Sequence, residues 1–450
     1  MSTHDPLLSI CIPTLNRGEL LKVLLENLEQ EISAYLDKIE IVVADNASSD
    51  HTADVVKGSP LPIKYGRQEN TVGFARNVLF ATTQLASGKF VWVIGDDDLI
   101  LPNGISRVID SLLEFPELNY HYLNFGWIDI EQRKNIVREN QGQVDASYLK
   151  RLQCDQKQSL QLDKIEDLAT LPSNNISALF SGIFCFVTLR TYFIEGQSLL
   201  NPSNSLDGSS TLIADCFPHA IISIPNLIGK PIAYIGEPCL MQGINGWEWG
   251  SYAYKNMIFG TYQFFEWLEK TAFCNESMKL LWQSYFNMTG KLLFRMFYLP
   301  DEHKGLDIVL DEAIPFSSKN LVFWNSFMQE SQTFYSIAFD ANILRSRLLS
   351  VLKNKPNARI GLWGIEGRGH RVIKVSPELH SNLVWVTDKN RVHHGLIFYN
   401  GIDLLISAPE TIVSANIDIL IIGTRAEFVT DVTSFVSTTL NTEVIFISLA

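Results

Sequence analysis

Gly88-Lys89-Phe90-Val91-Trp92-Val93-Ile94-Gly95-Asp96-Asp97-Asp98 is the stretch whose reading decides the fold. The apolar run Phe90 to Ile94 between two glycines reads as a buried strand. Three adjacent carboxylates at the exit of such a strand are costly unless a cation neutralises them. Hard oxygen ligands suit Mg²⁺ or Mn²⁺, so a divalent metal escorting a diphosphate is the first chemistry to expect there.

Upstream of that stretch, strand and helix signals alternate. Leu7–Ile12 reads as a strand ending at Pro13, and Glu19–Glu31 carries Leu20, Leu21, Leu24, Leu25 and Leu28 at helical spacing. Ile39–Ala44 is a second strand, Asp50–Lys57 a short helix, Ile63–Tyr65 a short strand and Gly73–Leu85 a helix. Asn103–Phe115 is the helix after the carboxylates. This rhythm implies a mostly parallel sheet covered on both faces. Ligands of such sheets gather beyond the carboxyl ends of the strands, where Pro13-Thr14, Asp45-Asn46 and Asp96–Asp98 all fall.

Four segments in this order, CIPTLNR (Cys11–Arg17), VVADNASSD (Val42–Asp50), ENTVGFARN (Glu69–Asn77) and GKFVWVIGDDD (Gly88–Asp98), resemble the family 2 glycosyltransferases. The texture is similar to the abequosyltransferase-like bacterial members. The resemblance implies a GT-A (Rossmann-like) α/β domain over residues 1–248 and a nucleotide-sugar donor. It places Pro13, Thr14 and Asp45 at the base and ribose, with Asn16, Arg17 and Asn46 nearby. Asp-Asn-Ala-Ser-Ser-Asp is also turn and N-cap chemistry. Gly73, Arg76 and Asn77 open a helix, from which Arg76 can reach a diphosphate bidentately. In the family's Asp-x-Asp pattern, Asp96 contacts ribose or metal-bound water and Asp98 holds Mn²⁺ or Mg²⁺. With Asp97 between them, the register stays open by one residue.

An inverting transferase needs a general base for the acceptor hydroxyl. By the resemblance this is Asp215, with Asp207 as runner-up; Ala214 stands where the family often has Glu. On the acceptor side fall Gly182, within Phe180–Phe184, and His219. Trp247 and Trp249 in GINGWEWG have the faces to stack on a sugar or fill a core. The implied acceptor is a saccharide, lipid-linked or not, of a bacterial surface polysaccharide.

Residues 249–355 turn helical and aromatic and read as a helical subdomain packed on the first domain. Lys291–Phe297, basic and apolar, leaves open an interfacial face and peripheral membrane contact. Asn354-Lys355-Pro356-Asn357 reads as a linker. Residues 356–450 restart a βα pattern, with strands at Ile360–Trp363, Leu383–Thr387, Ile417–Ile422 and Glu443–Ile447: a Rossmann-like C-terminal domain, structural, oligomerising or nucleotide-sugar-sensing. Gly361 to Gly369 approximates a dinucleotide fingerprint, with Asp388 at the next strand end. Aligning Gly364 and Gly369 with its outer glycines puts Glu366 where pyrophosphate should approach, so NAD(P) is disfavoured. A sugar-nucleotide oxidoreductase in this unit and a non-catalytic saccharide-binding scaffold are the competing readings.

Bulk composition sets outer bounds. The 450 residues, 46% hydrophobic and 19% charged, allow two or three globular domains. The net charge of −13 opposes a nucleic-acid partner. The six scattered cysteines read as buried free thiols. No run reaches the ~20 apolar residues of a membrane span. The opening residues lack a signal-peptide pattern. A cytoplasmic protein, or one at the inner face of the membrane, is the expectation.

Overall fold

The computed structural model describes residues 5–129, 137, 144, 148–149, 151–173, 185–200, 217–244, 255–298, 309–365, 368–374, 376, 380–389, 394, 397–399, 402–424, 428–440 and 443–448. The chain divides into two compact units, Met1–Ser326 and Phe327–Ala450.

The first unit is built on β1 (Leu8–Thr14), β2 (Ile39–Asp45), β3 (Ile63–Arg67) and β4 (Phe90–Val93). These pair in parallel in the order β3-β2-β1-β4. Every residue of β1 and of β4 is buried, which explains their continuous apolar reading. Helix α1 (Gly18–Ile32) buries Leu21, Leu24, Leu25 and Leu28. Each such burial contributes roughly 1.5–3 kcal/mol. Next come α2 (Thr52–Gly58) and α3 (Phe74–Leu79). The helix expected to run on to Leu85 changes to a π turn over Phe80–Leu85. There the Thr82 hydroxyl donates to the Val78 carbonyl at 2.9 Å and the Thr83 hydroxyl to the Leu79 carbonyl at 2.7 Å. Such back-bonding is a known cause of helix distortion.

Beyond β4 the sheet becomes mixed. The two-residue β5 (Leu99–Ile100) follows the carboxylates, and α4 (Gly104–Glu114) covers the sheet. The later strands are β6 (Tyr120–Asp129), β7 (Arg151–Leu152), β8 (Leu160–Leu162), β9 (Phe186–Leu189) and β10 (Ile232–Ile244). The full order is β3-β2-β1-β4-β9-β6-β10-β5, with β9 antiparallel to both β4 and β6. The long β10 is hidden in the sequence by Gly236 and Pro238. Its pairing with β6 shifts register between Ile235 and Leu240, where a bulge admits the proline.

The aromatic helices belong to this same unit. Phe264, in the helix Thr261–Glu269, lies 5.0 Å from Phe217, and the Ser277 hydroxyl donates to the Glu166 carbonyl at 3.0 Å. Tyr262, Trp282, Phe286 and Phe316 form one ring cluster with centroids 5.1–6.2 Å apart. No helix among the described residues is long and apolar enough to cross a membrane.

The second unit holds β11 (Ile360–Trp363), β12 (Leu383–Thr387), β13 (Ile397–Tyr399), β14 (Ile402–Ser407), β15 (Ile419–Ile422) and β16 (Ile445–Ile447). Their order is β13-β14-β12-β11-β15-β16, parallel except for β13. The linker chemistry at 354–357 puts the boundary at 355/356, whereas the compact units part at 326/327, within the helix Leu321–Leu352. The cause is packing: Ala341, Leu344 and Leu348 share the core of Ile360, Leu362, Ile419 and Ile421. The boundary expected at 248/249 likewise lies inside the first unit.

Candidate active site at the carboxyl edge of the parallel sheet

Register alone brings the first constellation together. Cys11 of β1 pairs with Val93 of β4, so Thr14 and Asp96, each three residues further on, leave the sheet at one level. The Thr14 hydroxyl donates to Asp96 Oδ2 at 2.8 Å across 82 residues of sequence. Arg17, immediately before α1, donates from Nη1 to Asp96 Oδ1 at 2.8 Å and to Asp97 Oδ2 at 3.3 Å. Asp96 is 3% exposed. Burial pushes its carboxyl up to about 6; Arg17 opposes the rise and the Asp97 charge adds to it.

The three aspartates have different surroundings. Asp98 is 1% exposed and turned inward. Its Oδ2 accepts the Gly95 N–H at 2.9 Å and its Oδ1 the Gly243 N–H at 3.3 Å. The Asp97 side chain is 16% exposed, against 4% for Asp96. Gly243, at the end of β10, comes so close that a Cβ there would sit 2.7 Å from the Asp97 carbonyl oxygen.

A second constellation surrounds Asp45. In register, Thr14 pairs with Asp45 and Asp45 with Arg67, so β1, β2 and β3 end together. The fully buried Asp45 accepts the Ser48 N–H on Oδ1 at 2.8 Å and the Tyr65 hydroxyl on Oδ2 at 2.6 Å. Arg67 Nε stands 4.0 Å from the same Oδ2, and Nη2 donates to the Ser48 carbonyl at 2.7 Å. Burial pushes the Tyr65 phenol up to about 12, and the Asp45 carboxylate adds to the rise. Asn16 adopts φ 53°, and its Oδ1 accepts the Ser49 N–H at 2.7 Å.

Other expected donor-side residues shape the loops. Pro13 is buried within β1. Asn46 clasps the 69–73 segment, donating to the Val72 carbonyl at 2.7 Å and accepting the Val72 N–H at 2.8 Å. Gly73 precedes α3, and Asn77 ties that helix to β2 by donating to the Ala44 carbonyl at 2.9 Å. Arg76 is exposed on the same helix.

On the acceptor side, His219 is buried and stacks on Phe186 with ring centroids 5.4 Å apart. Asp207, Asp215, Gly182, Trp247 and Trp249 lie outside the described residues. Tyr65, Arg67, Ser48 and Gly243 were not legible as site residues. For Tyr65 and Arg67 a signal existed, since they alternate on the strand next to Asp45 and end at the same edge.

In the second unit, Gly364 has φ 89°, and a Cβ on Gly369 would sit 1.8 Å from the Gly364 carbonyl oxygen. Gly369 therefore serves close helix–strand packing. Asp388 Oδ2 accepts the Ile365 N–H at 3.2 Å, so the carboxylate that a dinucleotide fingerprint aims at ribose is bonded to its own glycine loop.

The strand ends of one parallel sheet gather Thr14, Asp45 and an aspartate triplet at a single edge of an α/β domain. Residues 9–148 match the family model described as Glycosyl transferase family 2, and this segment is similar to the glycosyltransferase domains of that family. Abequosyltransferase RfbV of Salmonella typhimurium (strain LT2) is 38% identical over 104 residues, 22% of this chain and 31% of that protein. The GalNAc(5)-diNAcBac-PP-undecaprenol beta-1,3-glucosyltransferase of Campylobacter jejuni is 30% identical over 140 residues, 30% of this chain and 43% of that protein. The chain thus spans less than half the length of these relatives. The solved structure of S. aureus TarS 1–349 aligns with a TM-score of 0.43 at 13% identity, covering 89% of this chain and 99% of that one.

Proposed function

We propose that the protein transfers a glycosyl group from a nucleoside-diphosphate sugar to a saccharide acceptor, by inverting displacement. The observation that carries this is the meeting of Thr14, Arg17 and Asp96–Asp98 at the carboxyl edge of β1 and β4, one strand from Asp45. Asp45, set by Ser48 and Tyr65, is the group for a base N–H or ribose hydroxyl, with Arg67 beside it.

The donor set fits Mn²⁺ or Mg²⁺ at Asp97 and Asp96. Oxygens of both carboxylates already converge on one cationic nitrogen of Arg17, and hard oxygen ligands suit either ion. Asp98 has a different part, anchoring the turn through two backbone bonds. Among the described residues no group of three or more His, Cys, Asp or Glu is placed to hold a metal. Diphosphate oxygens of the donor would supply further hard ligands to an ion held there. When bound, the ion offsets the charge that develops on the leaving diphosphate.

Asp215, with Asp207 as runner-up, is the proposed base for the acceptor hydroxyl, by family resemblance. A lipid-linked saccharide acceptor is supported by the name of the Campylobacter jejuni relative, which carries its saccharide on PP-undecaprenol; its belonging to a surface polysaccharide rests on the family resemblance. A lipid-linked acceptor would place the protein at the inner face of the membrane.

The test is a thermal-shift screen of the full chain against UDP-, GDP-, CDP- and dTDP-sugars, each with and without Mn²⁺. Stabilisation by one nucleotide class that requires Mn²⁺ is the expected result. A flat response across all four would overturn the donor assignment. Loss of turnover in Asp215→Asn, with donor binding intact, would support the base.

A further inference from the structure

We infer that Arg17 is a built-in competitor for the metal position, a guanidinium that must leave the aspartates before a divalent ion can load. The inference rests on the metal assignment proposed above and goes beyond it. Nη1 of Arg17 lies 2.8 Å from Asp96 Oδ1 and 3.3 Å from Asp97 Oδ2, so one cationic nitrogen bridges two adjacent carboxylates. A divalent ion needs those same oxygens.

The backbone behind Arg17 is fixed. Its carbonyl accepts the N–H groups of Leu20 and Leu21 at 3.0 and 2.9 Å as α1 begins. Asn16, just before it, is tied to Ser48 and Ser49. The side chain, at 19% exposure, is open to solvent on one side.

An ammonium- or guanidinium-type charge and a divalent cation repel strongly at such separations, because the buried Asp96 wall lowers the local dielectric. Metal alone therefore binds against Arg17. A diphosphate changes the balance, since it offers the displaced guanidinium a bidentate partner while supplying oxygens to the metal. Metal and nucleotide should consequently bind with positive coupling, routed through one side chain.

The test is Mn²⁺ titration of the full chain followed by the electron paramagnetic resonance signal of free Mn²⁺, with no nucleotide present. Arg17→Gln should bind Mn²⁺ about tenfold or more tightly than the wild type, a coupling of ordinary allosteric size. Arg17→Lys, which keeps the charge, should stay close to the wild type. It also serves as the folded comparator, melting temperature without metal being measured for both variants. If Arg17→Gln binds Mn²⁺ no better while Asp97→Asn abolishes binding, Arg17 supports the site and the competition is refuted with the metal assignment intact. If neither wild type nor Arg17→Gln takes up Mn²⁺ without nucleotide, the competition is refuted, and the metal assignment is decided separately by the donor screen with and without Mn²⁺.

Discussion

The Gly243 backbone N–H donates to Asp98 Oδ1 at 3.3 Å, joining residues 145 positions apart. This bond fastens the end of β10, a strand of the mixed half of the sheet, to the turn that carries the aspartates. Within the triplet, Asp98 accepts two backbone N–H groups, while the Asp97 side chain is 16% exposed against 4% for Asp96.

Replacing that glycine tests the attachment. In Gly243→Ala the new Cβ would meet the Asp97 carbonyl oxygen at 2.7 Å, a backbone atom with little freedom to retreat. Overpacking of this kind costs about 1–3 kcal/mol. Urea denaturation should show that loss, and the Mn²⁺-dependent nucleotide shift should shrink.

Asp97→Asn and Asp98→Asn should fail in different ways. Asp98→Asn weakens one buried and one part-buried bond from backbone N–H groups and should lower stability by about 1–3 kcal/mol. Asp97→Asn should melt near the wild-type temperature yet lose the metal-dependent part of nucleotide binding. Paired melts with and without Mn²⁺ and donor distinguish them; identical behaviour would refute the division of labour.

Tyr65→Phe removes the hydroxyl that donates to Asp45 at 2.6 Å and leaves a buried carboxylate oxygen short of a partner. A destabilisation of about 1–3 kcal/mol is expected. Nucleotide affinity should fall with it, because Asp45 loses one of the contacts that fix its orientation. Calorimetric titration with the nucleotide found in the donor screen measures the second effect.

His121 gives the fold an acid-side weakness. The Ser111 hydroxyl donates to its Nδ1 at 2.8 Å, and its Nε2 lies 3.4 Å from the Leu118 carbonyl. Burial holds the ring down to about 4, from 6.5. Between those values the unfolded chain binds the proton and the folded one does not. This contribution is therefore complete above pH 6.5 and lost as pH falls toward 4, roughly 3 kcal/mol in all. Asp96, raised to about 6 from 3.8, acts with the opposite sign and gains as pH falls through 6. The difference between wild type and His121→Phe, in denaturation at pH 7.5 and pH 5, isolates the histidine: the variant should lose less stability on acidification.

Much of the parallel half was legible because its signals are local. The seven-residue β1 and β2 and the helix over Gly18–Ile32 follow apolar runs and leucine spacing within a few residues. Thr14, Asp45 and Asp96 were legible as a convergence because strands of one parallel sheet end on one side. What escaped depends on partners distant in sequence. β10 carries a glycine and a proline that read as a break until β6 supplies the bulged register. The inward turn of Asp98 depends on Gly243, which no spacing rule connects to it. The helix Leu321–Leu352 reads as one element, yet which core claims its second half is set by a sheet that begins only at Ile360.

That helix has a consequence for how such a chain can be assembled from parts. Ala341, Leu344 and Leu348 are core residues of the C-terminal sheet although they precede its first strand. A gene fusion or transplant that joins at the exposed turn near Pro356 would strip Ala341, Leu344 and Leu348 from the sheet's core, leaving part of one apolar face uncovered, an aggregation hazard. A recombination joint that keeps this core whole lies upstream of Ala341, so the heritable module is the end of a helix and a sheet together.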